Sequence, residues 1–424
     1  MFEIRVEWLE APGVVDPVLA RTWARLELVT STGSPTRFLC NRSGSVRSGV
    51  FGSAFPMAAW IVDNWWALSF EGARSPNVSA RRQGRNREWM SRHNLHTCRE
   101  GMAYPDLAIH AEDELIVVRW FADPEETTLS GRFVGGGIDW TDPDEMRRVL
   151  GDFVDSVRGR LDGLDDERVQ TLDENWLGIL DSTKHEHDIC AKLGMLGLDP
   201  YDVDEGIENA LRHLDLPEAV IHDLLGTSSR DAFANDLGVT REFINKLPPP
   251  RPPHPLPIIP VRVGRDRPYQ VGYARADAVR SHLRLAPDEP IEDLRPVLRQ
   301  LVGDIQLFEV STSVARVEAA VQLDRHPSIC FSGRAERQER FLHARALHHW
   351  LFVADEGRPT RLLTRGYGGT QAASRAFAAE LLAPASALNA ALSEGVYDVE
   401  EELAQRFNVS PEVILRQLQN HDLL

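Results

Sequence analysis

The sequence predicts an α+β protein: a β-rich N-terminal domain, an acidic helical region, and a C-terminal half that mixes helices with strands. Three observations predict it. Strand-length apolar runs are confined to the first 140 residues and to a stretch after residue 304. Residues 141–247 read as successive helices and carry 25 Asp or Glu against 11 Lys or Arg. PPPRPPHPLPIIP at 248–260 marks a break, because proline at that density favours an extended chain and cannot continue a helix. A chain of 424 residues also exceeds what one core usually holds. The expected domains are 1–140, 141–247, a linker at 248–260, 261–395 and a helical tail at 396–424.

The formal net charge of −17 argues against nucleic acid or an anionic membrane as the main partner. Cys40, Cys98, Cys190 and Cys330 form no C-x-x-C pair and read as free thiols of a reducing compartment. No stretch reaches the length of a membrane span, and MFEIRVEWLE lacks the charged-then-apolar order of a signal peptide. The expected location is the cytoplasm.

In the first 140 residues FEIRVEW (2–8), WARLELVT (23–30) and ELIVVRWF (114–121) read as strands. Between them PMAAWIVDNWWALSF (56–70) has helical spacing, with Trp60, Trp65 and Trp66 suited to a core and, as an alternative, to ligand stacking. The segment 73–92 is the one strongly basic stretch. Its Arg81, Arg82, Arg85 and Arg87, beside Trp89, suit either a solvated loop or a nucleic-acid contact. RHNLHTC (92–98) has metal-like composition without a fourth partner at a recognised spacing.

TDPDE at 141–145 offers an N-cap with proline in the first turn. AFANDLGVTREFINKL (232–247) has the rhythm of helix, glycine-containing turn, helix, and reads as a helical hairpin before it reads as a DNA reader. Beyond the proline-rich stretch, helices are expected at 272–285 and 291–301, then strands in DIQLFEVS, RVEAAVQL and PSICFSG. Two helix-like runs follow, Glu336–Phe352 and Gln371–Pro384, facing each other across a loop. The tail 399–424 carries a Ser410-Pro411 helix start.

In the first of these runs Arg345 and His349 fall on one face, at the spacing of a metal-hydrolase helix. Such a helix, H-E-x-x-H, supplies two imidazoles one turn apart and a glutamate that takes a proton from metal-bound water. Here the string is R-A-L-H-H at 345–349.

The C-terminal part, over about 270–420, resembles the ImmA/IrrE family of zinc metallo-endopeptidases. RFLHARALHHWLF (340–352) and QAASRAFAAELLAP (371–384) carry the resemblance through Phe341, Leu347, Trp350, Phe377 to Leu382, and Pro384. It implies a zincin-like metallopeptidase fold. By the same resemblance the first ligand histidine falls on Arg345, the catalytic glutamate on Ala346, the second ligand on His349 and the third on Gln371. A guanidinium stays charged and offers no lone pair to zinc, and alanine moves no proton. The site is therefore expected to be degenerate, with no cofactor unless nearby histidines rebuild it for zinc. On a straight helix His343 and His348 lie about 140° apart, which disfavours convergence on one ion.

Three functions follow. The first is a non-catalytic, polypeptide-binding regulator in a prokaryotic stress or mobile-element system, a pseudoenzyme of the peptidase fold. The second is an active zinc endopeptidase with a non-standard site, built from His349, nearby histidines, Glu380 or a carboxylate such as Asp355 or Glu356. The third is a nucleic-acid-binding protein acting through its N-terminal half.

Overall fold

The computed structural model describes residues 1–75, 78–79, 86–125, 131–251, 255–261, 267–312, 315–354, 357–393 and 399–423. The chain divides into two compact units, Met1–His213 and Leu214–Leu424, each mixing helix and sheet. Among the described residues no single helix is long and apolar enough to cross a membrane.

The N-terminal unit holds three three-stranded antiparallel sheets, the smallest joining Val46–Arg47, Phe38–Cys40 and Gly131–Phe133. Two are larger. One joins Glu3–Trp8, Trp23–Val29 and Val50–Ser53, and the other joins Asp106–Glu112, Leu115–Phe121 and Gly137–Thr141. The expected strands at 2–8, 23–30 and 114–121 are all present. The stretch 56–70 forms two helices, Phe55–Asp63 and Trp65–Phe70, broken at Asn64. Trp60, Trp65 and Trp66 are buried in the core of this unit, which is the structural role rather than an open stacking platform. Asp142 accepts hydrogen bonds from the backbone N–H groups of Asp144 and Glu145, so the cap read from TDPDE starts the helix Pro143–Leu161.

In the C-terminal unit a four-stranded sheet has the order Gln306–Val310, Ser328–Ser332, Val317–Gln322, Thr360–Thr364. The first pair is parallel and the others are antiparallel. The fourth strand corrects the sequence reading, which had a loop between the two long helices. Helix Glu336–Phe352 is also more enclosed than one apolar stripe implies, since every residue from Leu342 to Trp350 is buried.

The helix Gly369–Leu382 lies close against Pro268–His282. Gly272 makes that approach fit, because a Cβ there would collide with the Ala373 carbonyl. The tail helix Pro411–Asn420 starts at Ser410-Pro411 as read, and buries Ile414 and Leu418.

Residues 232–247 are a single helix, Phe233–Lys246, that runs through Gly238. The expected hairpin is absent because Phe233, Leu237, Thr240 and Phe243 bury one continuous face. That burial outweighs the ~1 kcal/mol cost of an internal glycine. This helix and Glu218–Leu225 pack on the C-terminal sheet. The division at His213/Leu214 thus lies ahead of the proline-rich segment, which is itself tied to the sheet. The Arg251 N–H donates to Asp324 at 2.9 Å, and Gln322 Nε2 donates to the Pro248 carbonyl at 2.8 Å.

Candidate functional site: a buried guanidinium

Helix Glu336–Phe352 places Arg345 against the strand Thr360–Thr364 and the helix Gly369–Leu382. Arg345 is 1% exposed, and four acceptors take its guanidinium. Nη1 donates to Glu318 Oε2, Nη2 to the Thr364 carbonyl at 2.9 Å and to Gln371 Oε1 at 2.8 Å, and Nε to Ser374 Oγ at 3.2 Å. The structure thus brings Arg345 and Gln371 into direct contact. Ala346 is buried and offers no proton acceptor.

Glu318 sits at a β-bulge. Val317 pairs with Thr364 and Ala319 with Leu363, so Glu318 is the extra residue, and a bulge re-aims its side chain. Three guanidiniums reach its carboxylate: Arg345, Arg334 at 3.5 Å and Arg365 at 3.3 Å. Burial alone would raise its pKa, but Arg345, then Arg334 and Arg365, hold it below the usual carboxylate range.

Gln371 does a second job. Its Oε1 accepts from the Thr364 N–H at 3.0 Å and its Nε2 donates to the Leu362 carbonyl at 2.8 Å. That is the pair of bonds a neighbouring strand would make along the outer edge of Thr360–Thr364. The Leu362 N–H is taken by Asp223 Oδ2 at 2.9 Å, and Asp223 also receives Arg361 through both oxygens, at 2.8 and 2.7 Å. This edge of the sheet is closed by side chains.

His349 is fully buried, and neither Nδ1 nor Nε2 has a hydrogen-bond partner. Burial, then the nearby His348 and the arginines 361, 345 and 275, push its pKa well below the ordinary value, so it is neutral. His348 turns its Nε2 to Arg275 at 2.9 Å, and its ring stands 5.7 Å from that of His349. His343 packs edge-on against Phe331 and lines a separate cavity of about 550 Å³.

Glu380 is occupied elsewhere. It accepts from the Ala385 N–H at 3.0 Å and from Gln417 Nε2 at 2.7 Å, anchoring the tail helix. Asp355 and Glu356 lie outside the described residues.

Zinc, which the family resemblance implies, does not fit this donor set. His349 offers an orphaned neutral nitrogen, but the Arg345 guanidinium, on which the resemblance puts the first ligand, cannot coordinate. The Gln371 oxygen is already shared by two donors. Among the described residues no group of three or more His, Cys, Asp or Glu is placed to hold an ion.

The other candidate sites resolve differently. Arg81, Arg82 and Arg85 lie outside the described residues, and Arg87 is the exposed first residue of the helix Arg87–His93. His93 is a core residue, stacked on Trp89 and bonded to Glu71 Oε2 at 2.9 Å and the Ile109 carbonyl at 2.6 Å. Sequence reasoning missed Glu318, Ser374 and Asp223. The signal for Glu318 was a lone carboxylate within the apolar run VEAAV, where burial demands a partner.

Residues 304–419 match the family model of the IrrE N-terminal-like domain, a peptidase family. The match lies wholly within the C-terminal unit, and it begins at the first strand of the sheet rather than at residue 270. No curated protein and no solved structure matches the chain.

Proposed function

Starting from a C-terminal unit that carries an IrrE N-terminal-like domain, we propose that this protein is a non-catalytic member of the zincin-like peptidase fold. It binds a polypeptide without cutting it and acts as a regulator in a prokaryotic stress or mobile-element system. One observation supports the reading: the Arg345 guanidinium, on which the resemblance puts the first ligand, is hydrogen-bonded to Gln371 and Glu318. Water activation needs an ion and a base, and Ala346 removes the base as Arg345 removes the ion. Binding needs neither.

A polypeptide has a place to dock. The strand Gln306–Val310 is the other edge of the sheet, and Leu307 on it is 50% exposed. The Gln306 N–H donates inward to the Pro327 carbonyl, so the alternation of a parallel ladder turns the backbone groups of Leu307 and Glu309 outward. An added strand would satisfy them. Leu294, Leu298, Ile305 and Leu307 line the cavity alongside.

Fluorescein-labelled unfolded casein tests the reading, with the full chain and added zinc. Anisotropy should rise while gel analysis shows intact casein. Cleavage that a chelator abolishes would overturn it in favour of an active endopeptidase.

A further inference from the structure

Around the position on which the resemblance puts the first zinc ligand, the structure gathers a surplus of fixed positive charge. Arg334, Arg345 and Arg365 all reach the single carboxylate of Glu318. Arg375 adds a fourth guanidinium, donating to the Thr364 carbonyl at 3.3 Å and the Gly366 carbonyl at 2.8 Å. Among the described residues no other acidic group forms an ion pair with any of the four. One carboxylate against four guanidiniums leaves a local charge of about +3, in a chain whose formal net charge is −17.

The cluster is graded in depth. Arg345 lies at the bottom, the Glu318 side chain is 15% exposed above it, and the Arg365 side chain at the mouth is 56% exposed. Arg316 is also exposed; its carbonyl accepts the Arg365 backbone N–H and its guanidinium donates to the Thr227 carbonyl at 3.1 Å, and Tyr367 is exposed as well. Glu318 Oε2 accepts from Arg345 and Oε1 from Arg365 Nε at 3.3 Å, so Arg365 is held through Nε alone and its exposed side chain leaves the Nη groups toward water. Arginine presents its donors as a planar fork matched to carboxylates.

We propose that this arginine cluster binds acidic side chains of a polypeptide partner, the Arg365 and Arg334 guanidiniums taking a second carboxylate beside Glu318. The inference rests on the reading of the site as metal-free, because a bound ion would compete with the cluster for Glu318. A carboxylate suits the cluster better than nucleic acid does. A phosphate backbone is held by a run of basic groups along its length, and the rest of the molecule is acidic.

The test uses the full-length protein and fluorescein-labelled hexaglutamate, read by anisotropy at low and at physiological salt. Binding should weaken with salt, and Arg365→Glu should reduce affinity by about tenfold or more with an unchanged melting temperature. Arg334→Ala should weaken it in the same direction. No binding at low salt, or binding unaffected by Arg365→Glu, would overturn the proposal. Preferential binding of inorganic phosphate or a single-stranded oligonucleotide would overturn it too. Zinc content of the same preparation separates the two readings. Metal-free protein that ignores hexaglutamate refutes the cluster alone, whereas stoichiometric zinc refutes the reading beneath it.

Discussion

At position 349 a neutral imidazole is enclosed with neither nitrogen bonded. An orphaned buried polar group costs about 1–3 kcal/mol, and an apolar group of similar shape removes that cost. His349→Leu should therefore leave the melting temperature unchanged or raise it, with or without zinc. If His349 holds an ion, the same change would lower stability and abolish any zinc-induced shift. Glu318 behaves in the opposite way. Glu318→Ala leaves Arg345 charged and buried without its carboxylate, a kind of change that costs about 3–5 kcal/mol. Urea denaturation of the full chain reads that loss, and an effect within 1 kcal/mol would contradict the assigned role.

Among elements, the strand Thr360–Thr364 organises the site, because the acceptors for Arg345 and Gln371 lie along its outer edge. Gln371→Ala should free the amide of Thr364. Hydrogen exchange at Thr364 should quicken by about tenfold or more relative to wild type, while exchange in the helix Pro143–Leu161 stays as it was. Unchanged protection at Thr364 would show that something other than Gln371 closes this edge.

This strand also marks where sequence reading stopped. TRLLT is only five residues long and lies close behind the helix Glu336–Phe352, so its periodicity is too short to separate from a loop. The two helices of the resemblance, the preceding strands and the Ser410-Pro411 start were legible because each has a long period or a cap. The contact between Arg345 and Gln371 was legible only as shared ligand positions. Glu318 entered through a β-bulge, which alternation does not reveal. At 232–247 a glycine read as a turn gave way to a tertiary face, and local propensity yielded to burial.

At the scale of the molecule, two units divide at His213/Leu214, and the helices Glu218–Leu225 and Phe233–Lys246 belong to the second. A fragment of residues 214–424 should fold cooperatively. One beginning at 261 should not, because it loses Asp223 from the strand edge and Phe243 from the sheet. In the longer fragment Trp350, its sole tryptophan, reports unfolding. Burial, with Arg295 adding to it, pulls the His343 pKa down to about 4, and His348 and His349 are lowered as well. These groups stay neutral when folded but take up protons near pH 6.5 when unfolded. Their contribution is thus complete above about pH 6.5 and is lost as pH falls toward 4, by about 1.4 kcal/mol per pH unit for each histidine. The urea midpoint should be lower at pH 5 than at pH 7.5, and equal midpoints would contradict the buried neutral histidines.

The most direct measurement is the zinc content of the full-length protein, by elemental mass spectrometry, after expression with zinc and purification without chelator or affinity tag. A guanidinium at position 345 predicts far less than one zinc per chain, and no change on His349→Ala. Near-stoichiometric zinc that His349→Ala removes would contradict the account and return the protein to the metallo-endopeptidases.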